Sequence, residues 1–303
     1  MKQMSNIVDR IKGFLFSPSK TFDASKEDTL GTAFEFFIAL LTICAVLSGV
    51  VGWLVFHHGV TMFVLVLILG IIGIFIGGLW THIWVYLVGG RKGIKQTLKA
   101  LMYGATPGCV LGWIPIVGVF AVVWTLILEI VGIGQLHELS TRRAVLAVIF
   151  AISIPLTVPY AATGTWRVGF AMESGSMEPN MHAGDLIFVQ APARTEIITY
   201  EEGEALGYKS FDEYGDVIVY RPGGRPSATP ILHRAMYWVE KGEEMPDGKP
   251  APHAGYITKG DNNAGYDQPM LGVEPVRPEW VVAVAKARIP YLGYPSIMLK
   301  KGF

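Results

Sequence analysis

Cysteine is nearly absent from this chain of 303 residues: Cys44 and Cys109 are the only two, and both sit inside apolar stretches. A cysteine in such a setting behaves as a small buried hydrophobe. No disulfide framework or cysteine metal cluster is expected, and the half after residue 165, which has no cysteine, must be held by its own core. Charge is scarce as well. Asp, Glu, Lys and Arg make up 17% of residues and cancel to a formal net charge of zero. No basic block occurs, which excludes nucleic acid as an expected partner. No cofactor motif or set of metal ligands stands out, since the adjacent His57 and His58 lack further ligands and read as solvated loop residues.

Hydrophobic residues are plentiful instead, at 51%, with a mean hydropathy of +0.40. Few soluble domains carry that balance. The acids divide the chain: residues 1–165 hold 7 of the 25, and residues 166–303 hold 18. This predicts a multi-domain protein, with an α-helical transmembrane bundle over 1–165 and a water-soluble, mostly-β domain over 166–303.

A bilayer core needs roughly 20 apolar residues per helix. Stretches near 32–56, 60–88, 114–134 and 144–163 meet or approach this length, and a shorter fifth near 98–112 is interrupted by Thr106-Pro107-Gly108. About five spans are therefore expected. Before residue 166 the basic residues form three groups: Lys2, Arg10, Lys12, Lys20 and Lys26; Arg91, Lys92, Lys95 and Lys99; and Arg142 with Arg143. Short cytoplasmic loops are enriched in Lys and Arg. Five spans with a cytoplasmic N-terminus satisfy all three groups, predicting a multi-pass protein of the cell membrane whose second half is extracytoplasmic. Four spans would put Arg142 and Arg143 on the wrong side. The first apolar stretch is too long, and lacks the small-residue cleavage site, for a removable secretory leader. Glu129, near the inner end of its span, reads as reaching the interface or as an intramembrane functional carboxylate.

Residues 8–163 also resemble the Yip family of multi-spanning membrane proteins. The resemblance rests on Ile11 to Lys20, Tyr103 to Pro107, Trp124 and Leu139 to Ala144. It implies about five helices and a role in organisation or partner contact, with no chemistry.

After residue 166 the apolar residues fall into short alternating segments bounded by Gly, Pro, Asp and Asn, a β signature. Strands are predicted at 168–172, 185–190, 216–220, 231–240, 256–259 and 281–289, enough for a folded barrel or sandwich-like sheet. The acidic insertion 192–214 reads as containing a short helix near 201–206. The tail from Ile289 to Lys301 is too short and proline-broken to span a bilayer. It suits either the membrane interface or packing on the domain.

The first block with chemical potential is Ser174-Gly175-Ser176-Met177-Glu178-Pro179, following the strand that ends near Met172. A serine hydroxyl is a useful nucleophile only when a base takes its proton and donors stabilise the oxyanion. Gly175 permits a turn that presents the Ser176 hydroxyl and amide, and Pro179 fixes the exit. Three further blocks follow: Gly215 to Arg221, Ile231-Leu232-His233-Arg234, and Lys259-Gly260-Asp261-Asn262-Asn263-Ala264-Gly265-Tyr266-Asp267. Together with the serine block they resemble type I signal peptidases of the branch found in archaea and the endoplasmic reticulum, over about 166–292. Bacterial relatives carry a lysine where this chain has His233.

The resemblance implies a serine endopeptidase that removes signal peptides after small residues at the outer membrane face. Ser176 would be the nucleophile, and the His233 imidazole the base. Asp261 and Asp267 compete to orient the ring; the resemblance favours Asp267, and turn chemistry is the plain alternative for Asp261. Oxyanion donors would be the Ser176 amide and the Ser174 hydroxyl, the latter equally readable as a strand-end serine. Met177 and Gly175 are candidates for substrate contact, with Met177 equally readable as core. Lys209 and Lys241 lie in polar surroundings and do not read as general bases, and the resemblance treats Lys259 as part of a structural turn. The implied partners are preprotein signal peptides, the lipid bilayer and, through the extra spans, the protein export machinery. Two alternatives remain open at this point: a non-catalytic scaffold that binds peptides by strand addition, and a processing protease dedicated to one class of surface protein.

Overall fold

The computed structural model describes residues 6–301, so Lys2 and the last two residues of the chain lie outside the described residues, as do the side chains of Phe56 and of residues 299–301. The chain forms two compact units, Met1–Pro155 and Leu156–Phe303.

In the first unit, α1 (Ile7–Phe16) and α2 (Pro18–Ala24) precede four long helices and one broken pair. Asn6 caps α1 through a hydrogen bond from the Val8 N–H, and Pro18 opens α2 where its missing N–H costs nothing. Helices α3 (Leu30–Phe56), α4 (Gly59–Leu87), α7 (Val117–His137) and α8 (Thr141–Thr163) are long and apolar enough to cross a membrane. Apolar side chains at Leu54, Val60, Ile76 and Phe120 stand exposed on them, the surface a hydrocarbon solvent favours.

The segment near 98–112, expected as a kinked or hairpin-forming span, is broken at Ala105. It is two short helices, α5 (Ile94–Gly104) and α6 (Thr106–Leu111), of 11 and 6 residues. Pro107 lies in the first turn of α6, where it ends the preceding helical hydrogen-bond ladder. The pair nonetheless runs antiparallel alongside α7. Lys92 pairs with Glu138 at 2.8 Å, Thr97 meets His137 at 2.9 Å, Gly104 packs on Glu129, and the Gly108 N–H reaches Thr125 Oγ1 at 3.0 Å. Helix α8 likewise runs antiparallel to α4: Arg143 lies beside Gly89, and the Trp80 indole donates to the Ala151 carbonyl at 2.8 Å. Among the described residues of this unit, the basic groups gather at the end shared by the start of α3, the α4–α5 connection and the α7–α8 turn. There Lys99 Nζ donates to the Lys26 carbonyl at 2.7 Å. An aromatic cluster of Phe14, Phe22, Phe36 and Tyr103 fills the core at this end, with the Arg10 guanidinium 5.0 Å from the Tyr103 ring and the Tyr103 hydroxyl donating to Asp28 at 2.6 Å.

The second unit is built on a six-stranded antiparallel sheet. Its strands are β1 (Gly169–Ala171), β2 (Leu186–Gln190), β5 (Val217–Tyr220), β6 (Ile231–Val239), β7 (Gly255–Lys259) and β8 (Val281–Ile289), in spatial order β1-β2-β8-β5-β6-β7. All six fall where alternation predicts them. Strand β5 is buried on both faces: Val217 and Val219 join Met172, Met181, Ile187 and Ala285 in one core, while Ile218 and Tyr220 join Ala235, Val276 and Val284 in the other. Register shifts at Phe188/Val189, Val219/Tyr220 and Ala235/Tyr237 bend the sheet.

The insertion holds α9 (Tyr200–Leu206), closed by a capping box between Thr199 and Glu202, and also a two-stranded hairpin of β3 (Lys209–Ser210) and β4 (Glu213–Tyr214). A single turn of helix, α10 (Asp267–Leu271), follows the polar loop after β7. In the tail, α11 (Tyr294–Lys301) packs on the domain, with Ile297 buried and the Tyr294 ring filling the space beside Gly184, whose φ of +93° suits glycine.

Candidate active site

Three adjacent strands and two loops converge on one point. Register pairs Ile218 of β5 with His233 of β6, and Ala235 of β6 with Thr258 of β7. Cross-strand partners share a face and alternate residues along a strand return to it. Tyr220, His233 and Thr258 therefore project together. Opposite them, the loop after β1 carries Ser176, and the loop after β7 ends in Asp267 at the first position of α10.

Ser176 Oγ lies 3.0 Å from His233 Nε2. On the other side of the ring, His233 Nδ1 lies 2.7 and 2.9 Å from the two carboxylate oxygens of Asp267. His233 and Asp267 are buried, at 4% and 0% exposure. Asp267 Oδ2 also accepts from the Thr258 hydroxyl at 2.6 Å and the Tyr220 hydroxyl at 2.9 Å. Burial by itself would raise the Asp267 carboxyl; the hydrogen bond and charge of His233, with the two hydroxyl donors, outweigh it and hold the group below the ordinary aspartate value. The Tyr220 hydroxyl is pushed far up, by burial and then by the neighbouring carboxylate, and stays a donor. Sequence reasoning missed Tyr220 and Thr258. The available signal was a hydroxyl on each strand flanking the histidine, on the face that it shares.

The two competing carboxylates separate cleanly. Asp261 does not touch the imidazole. It forms a two-pronged ion pair with Arg234, from Nε to Oδ1 at 2.9 Å and from Nη2 to Oδ2 at 2.7 Å, and accepts from Asn180 Nδ2 at 2.8 Å. Arg234 is 1% exposed. Its remaining Nη1 donates to the carbonyls of Ser210, Tyr214 and Gly215 at 2.7 to 3.1 Å, which fixes the β3–β4 hairpin. The loop after β7 also grips the serine turn directly: the Asn262 N–H donates to the Ser176 carbonyl at 2.9 Å, and Asn262 Nδ2 to the Gly175 carbonyl at 3.1 Å.

Ser174 Oγ stands 3.2 Å from Ser176 Oγ on the exposed side. Gly175 lies beside Ser176, with its carbonyl occupied by the loop. Met177, a candidate for substrate contact, is wholly buried among Met172, Met181 and Ile187. The structure thus puts it beneath the serine turn, where its apolar side chain anchors the turn to the core. Among the three lysines weighed, Lys209 Nζ lies 4.6 Å from the Tyr214 ring and Lys259 pairs in register with Arg234 at the end of β7, on the strand neighbouring the histidine. Among the described residues, no group of three His, Cys, Asp or Glu side chains could hold a metal ion.

Comparison with known proteins covers both halves. The model of the Yip1 domain matches residues 12–162. The signal peptidase complex catalytic subunit SEC11 of Zygosaccharomyces rouxii is 28% identical over 133 residues, covering 42% of this chain and 63% of that protein. The Aspergillus oryzae subunit is 30% identical over 139 residues with the same coverage, and the Aspergillus terreus subunit is 27% identical over 181 residues, covering 54% of this chain and 85% of that protein. The chain thus spans less than two thirds of the length of the first of these relatives. It joins a Yip1-domain membrane region to a region homologous to SEC11-type signal peptidase subunits.

Proposed function

We propose that the protein is a membrane-embedded serine endopeptidase that removes signal peptides from exported proteins. The observation that carries this reading is the unbroken chain of contacts from Ser176 through His233 to Asp267. In the proposed reaction, Ser176 Oγ attacks the scissile carbonyl while His233 Nε2 accepts its proton. The oxyanion is met by the Ser176 amide and the Ser174 hydroxyl. The imidazolium, held by Asp267, then protonates the leaving amine, and the bond to nitrogen breaks to give an acyl-serine. Water then bonds to the acyl carbon as His233 takes its proton, and the imidazolium returns that proton to Ser176 Oγ as the acyl–oxygen bond breaks. Asp261 is a positioning residue in this scheme, acting through Arg234, Asn180 and the loop that holds the serine turn.

The proposed orientation puts the N-terminus in the cytoplasm and the β-rich domain outside. It is supported by the antiparallel run of α5–α6 along α7 and by the basic groups at one end of the bundle. A serine a dozen residues beyond α8 then acts near the outer surface, on substrates with small residues before the cleaved bond. The Yip1 region is proposed to recruit the export machinery. Removing residues 1–139 while keeping α8 tests this: clients should be processed poorly, and unchanged processing of all clients would refute recruitment.

The direct test of the activity is cleavage of a preprotein with an Ala-x-Ala site by the detergent-solubilised chain, beside Ser176→Ala and His233→Ala. Both variants should be inactive. Cleavage that survives Ser176→Ala would remove the assignment, and an intact wild type that binds the preprotein without cutting it would favour a peptide-binding scaffold.

A further inference from the structure

A second feature of the β-rich unit lies just past the end of α8, away from the catalytic residues. The chain turns tightly there: the Gly164 N–H donates to the Tyr160 carbonyl at 2.7 Å, and the Thr163 hydroxyl to the Thr165 carbonyl at 3.0 Å. Trp166 is 70% exposed and stacks on Tyr160 with ring centroids 4.5 Å apart. An exposed Trp on a Tyr at the end of a span marks the headgroup level of a bilayer. Four residues reach at most about 14 Å from Thr163, so Arg167 stays within or just above the headgroup layer.

At this level Thr165, Arg167, Phe170, Arg221, Pro230 and Val282 line a small cavity of about 90 Å³. Arg167 holds its guanidinium over the Phe170 ring, 4.1 Å from its centroid. Arg221 comes from the end of β5 and donates to the Pro226 carbonyl, but its Nε is buried with no hydrogen-bond partner. A buried donor without an acceptor is costly and calls for a partner that the protein does not supply. Neither arginine forms an ion pair among the described residues, and no carboxylate lines the cavity. Two fixed guanidinium groups suit a tetrahedral oxyanion, since their planar forks match phosphate oxygens in pairs.

We infer that Arg167 and Arg221 clamp the phosphate of a membrane phospholipid headgroup beside the end of α8. The bilayer is the occupant because Thr165 and Arg167 of the lining follow directly on the end of α8, beside the Tyr160–Trp166 stack. Such a clamp would tie the rim of the β-rich unit to the outer leaflet.

The test uses the full-length chain, purified in dodecyl maltoside and stripped of lipid, titrated with dihexanoylphosphatidylglycerol and followed by tryptophan fluorescence. Dioctanoylglycerol, which lacks phosphate, and inorganic phosphate are titrated in parallel. Saturable lipid binding should weaken at least tenfold in both Arg167→Gln and Arg221→Gln, while Arg225→Gln, an exposed neighbour outside the cavity, binds as wild type. Arg167 is itself exposed, so its substitution reports binding without depending on the fold. Unchanged binding in Arg167→Gln, equal loss in Arg225→Gln, or equal affinity for dioctanoylglycerol would each overturn the clamp. Inorganic phosphate binding as tightly as the lipid would overturn the lipid assignment in favour of a free-phosphate site.

Discussion

Asp261→Asn and Asp267→Asn should fail in opposite ways. Asp261 is the only carboxylate on Arg234 among the described residues, and the two side chains are 8% and 1% exposed. Removing the charge leaves a buried guanidinium with neutral acceptors only, a loss of about 3–5 kcal/mol for a broken buried pair. At about 2–4 °C per kcal/mol for a domain of this size, the melting midpoint should drop by roughly 6–20 °C. Catalysis by the molecules that remain folded should fall far less. Asp267→Asn keeps the shape, and its amide oxygen still accepts from Tyr220 and Thr258, so the midpoint should move by a few degrees. The imidazole, however, loses the group that fixes its tautomer, and the rate should fall about 10⁴-fold. Differential scanning fluorimetry of the full chain in detergent gives the midpoints, and single-turnover cleavage well below both midpoints gives the rates. An Asp261→Asn protein that melts like wild type but does not cut would place Asp261 in the chemistry. An Asp267→Asn protein that cuts within tenfold of wild type would remove Asp267 from it.

Tyr220→Phe deletes one hydroxyl donor to a buried carboxylate, worth about 1.5–3 kcal/mol for a bond to a charged group; cleavage should slow at least tenfold with KM unchanged, and a normal rate would show that Thr258 alone positions Asp267. Ser174→Ala should lower kcat by about 10²-fold if its hydroxyl meets the oxyanion, measured by burst kinetics, whereas a change confined to KM would assign it to substrate binding. Gly260→Ala should abolish cleavage with the fold retained on circular dichroism, because a Cβ there would lie 2.6 Å from the Ser176 carbonyl oxygen and 2.9 Å from His233 Nε2; an active variant would mean the serine and histidine do not meet as described. Because folding lowers the Asp267 pKa below its reference of 3.8, its contribution to stability is complete above that pH and is lost as pH falls through the folded value. Acid unfolding curves of wild type and Asp267→Asn should therefore converge below pH 3.8, and parallel curves throughout would refute the shift.

Much of this architecture was legible in the residues. Alternation located all six strands of the main sheet because each is either half-buried or, like Val217 to Tyr220, a short continuous apolar run. The serine, histidine and aspartate blocks were visible through their joint resemblance to type I signal peptidases, since the serine block alone reads as readily as a loop. The β3–β4 hairpin was not, since two residues per strand leave no period to read. The segment 98–112 was legible as an interrupted span, but the two-helix form depends on Pro107 and on packing against α7. Arg234 escaped notice beside His233. Consecutive strand residues face opposite sides, so a charge inside Ile231 to Val239 had to be buried and paired, and the Asp261 of the next loop was the available partner. Met177 was undecidable from its position, because a methionine next to a turn serine fits a pocket wall or a core equally well.

The strand order has a consequence for when the proposed site comes to exist. Strand β8, the last to be synthesised, sits in the middle of the sheet, between the β1–β2 pair that leads into and out of the serine turn and the β5–β6–β7 set that carries the histidine. Until residues 281–289 leave the ribosome, the main sheet is two separate flaps with no backbone ladder between them. Until then a growing chain holds Ser176 and His233 on unjoined pieces, so the proposed peptidase would not yet be assembled. Completion of the sheet is the event that brings the two side chains together.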